Sequence, residues 1–194
     1  CQGSRALNIP GEDAEGVMSA VELLHTTTEN ESYAINGRSV VIGGGNVAID
    51  VARTNTRCGA SEVSMFCLES RDEMPAADEE VAEALEEGVN LQCGWGPKEI
   101  LTENGKVTGV VFKKCLSVKD YDGRFNPTFD EDDTITVPCE NVYLSIGQSI
   151  EWGNLLDGTK VELGRGNGIV ADPLTYQTAE PDIFAGGDVY TGPK

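Results

Sequence analysis

The hydrophobic pattern alternates between two periods along the first half of the chain, as is typical of a domain that alternates strands and helices. A short apolar run at 39–42 ends in three glycines, which predicts a buried parallel strand. Residues 46–57 place Ala48 and Ala52 on one side, which predicts a helix that packs closely on that strand. The same order continues with a strand at 62–68, a helix at 78–87 and a strand at 89–93.

The second half of the chain favours antiparallel hairpins. Asn104-Gly105 separates the apolar segments 99–102 and 107–115, and this dipeptide is a strong signal for a tight hairpin turn. We expect the polar segment 119–133 to be an exposed loop. The remaining predictions are a helix at 16–24 and strands at 134–137, 142–146, 169–170 and 183–185. Together these elements predict an α/β fold, with a Rossmann-like parallel sheet that carries a helix on each face, plus a β-meander.

Charge and composition narrow the classes of partner. The chain has 14 basic and 33 acidic residues, a net charge of −19, so it repels nucleic acid and anionic membrane surfaces. No apolar run approaches the roughly 20 residues that cross a bilayer. The six cysteines form no C-x-x-C pair, so we expect no metal site and reduced thiols in a cytoplasmic protein. The chain starts at Cys1 rather than methionine, and we expect an excised piece of a longer protein.

The strongest chemical signal is the run Gly43-Gly44-Gly45-Asn46-Val47-Ala48, placed between a predicted strand and a predicted helix. It fits the dinucleotide-binding pattern G-x-G-x-x-A. Gly43 permits the tight turn, Gly45 lets the backbone approach a pyrophosphate, and Ala48 keeps helix and strand close. The helix start then offers free N–H groups to the phosphates. A plain tight turn between strand and helix is the alternative.

An acidic residue follows the second predicted strand at the expected distance. Glu69 lies 24 positions after Gly45, near the roughly 20 expected of the carboxylate that binds the adenosine ribose. Such a carboxylate repels a 2′-phosphate and therefore favours NADH over NADPH. Arg71 would instead favour NADPH, because a guanidinium pairs with the 2′-phosphate. The alternative is that Glu69 and Arg71 are ordinary charged residues of a loop, with no role in binding.

Several further motifs give the chain a specific resemblance. They are Leu7 to Asp13, Val40 to Arg53, Glu73-Met74-Pro75-Ala76, Ser145-Ile146-Gly147-Gln148 and Phe184 to Val189, which contains Gly186-Gly187-Asp188. The sequence resembles the NAD(P)H- and FAD-dependent oxidoreductases of the glutamate synthase small (beta) subunit type, which also form the flavin module of dihydropyrimidine dehydrogenase. The resemblance covers nearly the whole chain.

That resemblance implies an NAD(P)H-binding domain inserted into an FAD domain. The NAD(P)H domain would be 36–148, and 1–35 and 149–194 would be FAD-domain segments. It further implies that Gly187 and Asp188 contact FAD, and that Ile146-Gly147 lies at a domain crossover near the nicotinamide. The family's N-terminal FAD fingerprint, its iron–sulfur cysteines and the helix after Asp188 are missing, so we expect FAD to be lost from this piece. Relatives that use NADPH usually end the second strand in Tyr-Arg-Arg, where this chain has Cys67-Leu68-Glu69.

The implied reaction is hydride transfer from NAD(P)H to FAD, with electrons passed to iron–sulfur centres or to a partner such as a glutamate synthase large subunit. The cofactors carry that chemistry, so no side chain is assigned a catalytic role. Two alternatives stay open. One is a docking module that binds nucleotide without turnover, and the other is a disulfide reductase resembling thioredoxin reductase, which would need a redox cysteine pair outside this stretch.

Overall fold

The computed structural model describes residues 2–192, and contacts divide them into two units. One unit spans residues 6–146, and the other joins the start of the chain, up to Arg5, to the segment from Gly147 onward. The predicted boundaries at 35 and 148 divide the chain by the cofactor that each segment binds, whereas these units are divided by contacts. The predicted boundaries therefore stay a prediction.

A five-stranded parallel sheet forms the centre of the 6–146 unit. Its strand order is β2-β9-β3-β4-β5, and its strands are β2 (Val17–Ser19), β3 (Arg38–Ile42), β4 (Glu62–Cys67), β5 (Asn90–Cys93) and β9 (Asn141–Leu144). The helices are α1 (Ala20–Glu29), α2 (Asn46–Arg57) and α3 (Asp78–Glu86). The α/β class and the helix predicted at 46–57 are confirmed.

The two faces of this sheet are covered by different structures. On one face, Val41 and Met65 pack with residues of all three helices, including Leu23, Ala48 and Val81. On the other, Val40 and Ile42 pack with the antiparallel meander. The expectation of a helix on each face was therefore wrong, because the meander supplies the apolar surface that a helix was expected to supply.

The meander consists of three long strands, β6 (Trp95–Glu103), β7 (Lys106–Lys119) and β8 (Phe125–Pro138). Asn104 and Gly105 both have positive φ, which confirms the predicted hairpin turn. Phe112 of β7 stacks on Phe66 of β4 with ring centroids 4.0 Å apart, and this contact joins the meander to the parallel sheet.

Four predictions of local structure were wrong. The segment 119–133 is not a loop throughout, because β8 begins at Phe125 and is held by its ladder to β7 rather than by burial. The start of the helix predicted at 16–24 is strand β2, which pairs with β9; Ser19 then caps α1 by accepting the Glu22 N–H at 3.2 Å. Segments 169–170 and 183–185 take part only in isolated bridges.

The second unit contains one antiparallel strand pair and a short helix. Strand β1 (Gln2–Ser4) pairs antiparallel with β10 (Gln148–Ile150). Much of the rest is turns, and a one-turn helix, α4 (Asp188–Thr191), follows Gly187. The first turn of the helix that was expected to be missing after Asp188 is therefore present.

Arginines on α2 tie this helix to the end of α3. Arg53 pairs with Glu83 and Glu87, and Arg57 pairs with Glu87 at 2.6 Å. The hydrogen bonds from Arg57 and Arg53 lower the pKa of Glu87 below its ordinary value of 4.5. Ionised Glu87 therefore stabilises the folded chain above that value, and the contribution disappears as the pH falls through the lowered pKa.

We accordingly expect Glu87→Gln to reduce the pH dependence of unfolding on the acid side. Melting temperatures of the wild type and the variant, measured between pH 7 and pH 3, should converge as the pH falls. Glu86→Gln is the matched control, because no ion pair involves Glu86 among residues 2–192. A constant gap between wild type and Glu87→Gln across the whole range would contradict the assignment.

Candidate functional site

The glycine turn lies between the end of β3 and the start of α2, and its three glycines differ in the space around them. Gly43 has φ +148°, and a Cβ there would lie 2.2 Å from the carbonyl oxygen of Ser145. A Cβ at Gly44 would lie 2.9 Å from Glu69 Oε2 and 3.0 Å from Cys67 Cβ. The Ser145 backbone therefore excludes a side chain at Gly43, whereas a side chain at Gly44 would be tight against Cys67 and would displace the Glu69 carboxylate.

Gly45 differs from the other two. Its φ of −94° and ψ of 174° are ordinary extended values, and a Cβ there would meet no atom within 4 Å. The fold therefore accepts a larger residue at this position. The absence of a side chain leaves open space directly at the start of α2.

The residues at that space carry backbone N–H groups that are free. Within residues 2–192, the N–H groups of Gly44, Gly45, Asn46 and Val47 have no hydrogen-bond acceptor. The Ala48 N–H differs, because it donates to the Gly45 carbonyl at 2.9 Å. Unsatisfied donors at a helix start carry partial positive charge and bind anions. Ala48 is fully buried, which agrees with the packing role expected of it.

A second segment holds the turn in place. The Ala76 N–H donates to the Gly44 carbonyl at 3.1 Å, and the Ala77 N–H donates to Asn46 Oδ1 at 2.8 Å. The side chain of Asn46 is thus engaged, while its own N–H stays available. Sequence reasoning missed this tie, because no spacing rule relates residues 76–77 to a helix that starts 30 positions earlier.

The structure brings Glu69 to the turn and gives Arg71 another partner. Glu69 is half-buried, its Oε2 lies beside Gly44, and its carboxylate accepts no hydrogen bond from residues 2–192. Arg71 donates to Asp78 Oδ1 at 2.8 Å. A ligand on the turn would therefore meet a carboxylate that no donor of the described chain engages, whereas the Arg71 guanidinium is paired with Asp78.

The other predicted residues lie elsewhere. Ile146 packs on the meander side of the sheet, and the division between the two units falls directly after it, at Gly147. Gly187 has φ +63°, and the exposed Asp188 begins α4 in the second unit. Hence only the residues at 43–48 and Glu69 gather into one site within the 6–146 unit.

Two negative findings bear on other kinds of site. Among residues 2–192, no three side chains of His, Cys, Asp or Glu are grouped so that they would hold a metal ion. In the same part of the chain, no helix has the length and apolar character needed to span a bilayer.

Comparison with known proteins decides the family. The family model for pyridine nucleotide-disulphide oxidoreductases matches residues 2–194. The chain belongs to this family. The NADP(+)-dependent formate dehydrogenase subunit beta of Moorella thermoacetica is 35% identical over 98% of the chain, and the glutamate synthase [NADPH] small chain of Escherichia coli is 34% identical over 95%. The resemblance inferred from the motifs is therefore confirmed.

The chain spans only part of those relatives, 27% of the first and 42% of the second. Solved structures show the same fold at lower identity. FprA, an oxidoreductase of Mycobacterium tuberculosis, aligns with 99% of the chain and 57% of its own at a TM-score of 0.75 and 18% identity. Thioredoxin reductase of T. acidophilum aligns with 99% of the chain and 56% of its own at a TM-score of 0.72 and 20% identity.

Proposed function

We propose that the 6–146 unit binds NAD(P)H, with the diphosphate on the turn at 43–47 and the adenosine ribose on Glu69. The observation that carries this proposal is Gly45, a glycine that the backbone does not need, beside four free N–H groups. Conformation and packing both permit a side chain at Gly45, so its glycine fits two roles, the N-cap of α2 and a position that a ligand approaches closely. The free N–H groups supply the donors that a diphosphate requires.

We further propose that the site prefers NADH over NADPH. The free Glu69 carboxylate can accept hydrogen bonds from ribose hydroxyls, and it would repel a 2′-phosphate. The exposed Asp78 carboxylate competes with that phosphate for the Arg71 guanidinium. The formate dehydrogenase and glutamate synthase relatives carry NADP or NADPH in their names, so the proposed preference separates this chain from them.

Glu69→Arg should reverse the preference. A bidentate pair of hydrogen bonds from the new arginine to the 2′-phosphate would replace the repulsion by the Glu69 carboxylate. We therefore expect the ratio of NADPH to NADH affinity to rise by about 10–100-fold. Calorimetric titration of the wild type and of Glu69→Arg with NADH and with NADPH measures this ratio. Glu62→Arg makes the same charge change at the opposite, exposed end of β4 and should leave the ratio unchanged. Equal affinities of the wild type for NADH and NADPH would contradict the preference.

For the whole protein, we propose transfer of reducing equivalents from NAD(P)H to FAD and then to iron–sulfur centres or a partner subunit. When bound, the flavin accepts hydride from the nicotinamide. Around Gly186 and Gly187 a Cβ would meet nothing within 4 Å, and the Asp188 carboxylate is exposed, so these residues fit a flavin ribityl–phosphate region. Ile146 and Gly147 would lie near the nicotinamide. We propose that this piece alone does not retain FAD.

The test of this activity uses the natural full-length protein. A yellow protein whose flavin absorbance near 450 nm bleaches with NADH supports hydride transfer. A colourless protein that still binds NADH favours a docking module. A flavin reoxidised by a protein disulfide favours a disulfide reductase instead.

The names of the relatives suggest a multi-subunit assembly, and the free cysteines suggest a compartment. The glutamate synthase relative is a small chain and the formate dehydrogenase relative is a beta subunit, so we propose a partner that resembles a glutamate synthase large subunit or another electron-accepting subunit. The described cysteines Cys58, Cys67, Cys93, Cys115 and Cys139 are all free thiols, which fits the reducing cytoplasm.

A further inference from the structure

Two cysteines that are 26 positions apart in the sequence become neighbours in the sheet. Cys67 at the end of β4 and Cys93 at the end of β5 are register partners in the parallel ladder, so their side chains lie on the same face. Neighbouring strands lie about 4.7–4.9 Å apart, within the Cα separation of roughly 4.4–6.8 Å found in disulfides. The Cys93 thiol also contacts Met74, with 3.7 Å between Sγ and Sδ.

The two thiols differ in their access to solvent. Cys67 is only 2% exposed, and burial, with a contribution from Cys93, raises the pKa of its thiol far above the ordinary value. Cys93 is half-buried and lines an open groove of about 350 Å³, together with Leu68, Arg71 and Lys114. A small reagent therefore reaches Cys93 first, and Cys67 reacts only through its neighbour.

This cysteine pair contacts the residues that frame the candidate nucleotide site. The Cys67 thiol donates to the Glu69 carbonyl at 3.6 Å, and the Gly94 N–H donates to the same oxygen at 2.9 Å. Met74, on the other side of Cys93, precedes the segment at 76–77 that holds the glycine turn. A change at Cys67 and Cys93 therefore reaches Glu69 and the turn through direct contacts.

We propose that Cys67 and Cys93 are a modification site that forms a reversible disulfide, and that this bond weakens dinucleotide binding at Glu69 and the glycine turn. The second half of this proposal rests on the proposed function. The oxidant is a small-molecule disulfide. The Cys93 thiolate attacks one of its sulfurs and releases one small thiol. The Cys67 sulfur then displaces the second small thiol from Cys93, so two electrons and two protons pass from the protein to the reagent.

Weaker binding follows from the geometry of the bond. A disulfide brings the two sulfurs to about 2.05 Å and removes both S–H donors. The Glu69 carbonyl then loses its bond from Cys67, and Cys93 Sγ moves away from Met74. We expect the affinity for NADH to fall by about two- to ten-fold, as for the loss of one hydrogen bond. By linkage, bound NADH should shift the thiol–disulfide equilibrium toward the reduced pair by the same factor.

The experiment treats the chain with oxidised glutathione, blocks the remaining thiols and identifies linked peptides by mass spectrometry. Trypsin alone leaves Cys58 and Cys67 on one peptide, 58–71, so a second cut after Glu62 is needed to separate them. NADH is titrated before oxidation, after oxidation and after reduction with dithiothreitol. Cys93→Ser should abolish both the link and the loss of affinity. Cys115→Ser is the matched control, because Cys115 lines the same groove but is not in register with Cys67.

Each outcome decides part of the proposal. A Cys67–Cys93 link that is reversed by dithiothreitol supports the modification site, and its absence overturns it. A link that leaves the NADH affinity unchanged overturns the effect on binding. If the reduced chain binds no NADH at all, the proposed function fails, and the link alone then decides whether the modification site exists.

Discussion

Replacing Gly45 with valine should abolish NADH binding while leaving the chain folded. Valine readily adopts the extended backbone of Gly45, and its Cβ would meet no protein atom. The side chain would instead fill the space in front of the free N–H groups of residues 44–47, where the diphosphate has to lie. We expect at least about a 100-fold loss of affinity by calorimetry, since several charge-assisted hydrogen bonds disappear together.

The melting temperature separates this effect from unfolding. Valine is a poorer helix cap than glycine, so a cost of about 1 kcal/mol is expected and no more. Gly186→Val is the matched control, because Gly186 also has ordinary φ and open space around its Cβ but lies in the other unit. If Gly45→Val bound NADH as tightly as the wild type, the proposal that the diphosphate lies on the turn would be wrong.

Gly43→Ala should have the opposite signature, a large loss of stability. A Cβ there lies 2.2 Å from the Ser145 carbonyl oxygen, a backbone atom that moves only if β9 moves. The φ of +148° adds strain for any residue with a side chain. Backbone strain and overpacking each cost about 1–3 kcal/mol, so we expect a loss of about 2–6 kcal/mol in the free energy of unfolding.

Denaturant unfolding of Gly43→Ala and Gly88→Ala separates the two costs. Gly88 has φ +89°, and a Cβ there would meet nothing within 4 Å, so its substitution measures strain with little steric conflict. We expect Gly88→Ala to cost about 1 kcal/mol. Equal losses for the two variants would show that the close approach of Ser145 does not constrain the turn.

The features that sequence reasoning predicted well are those that depend on residues close together in the chain. The turn at Asn104-Gly105 and the helix at 46–57 follow from backbone preference and local periodicity. The glycine motif lies between a strand, β3, and a helix, α2, as predicted, because its parts are consecutive in the chain. Glu69 lies beside Gly44 because one helix and one strand of ordinary length, α2 and β4, separate it from the turn.

The features that sequence reasoning missed depend on pairing between distant segments. Val17 belongs to a strand only because β2 pairs with β9, more than 120 positions away. The polar residues of β8 show no hydrophobic alternation and are ordered by their ladder to β7. The pairing of Cys67 with Cys93 follows from the register of β4 and β5, which no cysteine spacing rule reveals.

The central claim is that a dinucleotide diphosphate lies against the free N–H groups at the start of α2. The most direct measurement is the change of backbone amide resonances in a ¹⁵N-labelled chain during titration with NADH. The account predicts the largest saturable shifts at Gly44, Gly45, Asn46 and Val47, with a smaller change at Glu69. Saturable shifts elsewhere, with these amides unchanged, would contradict it.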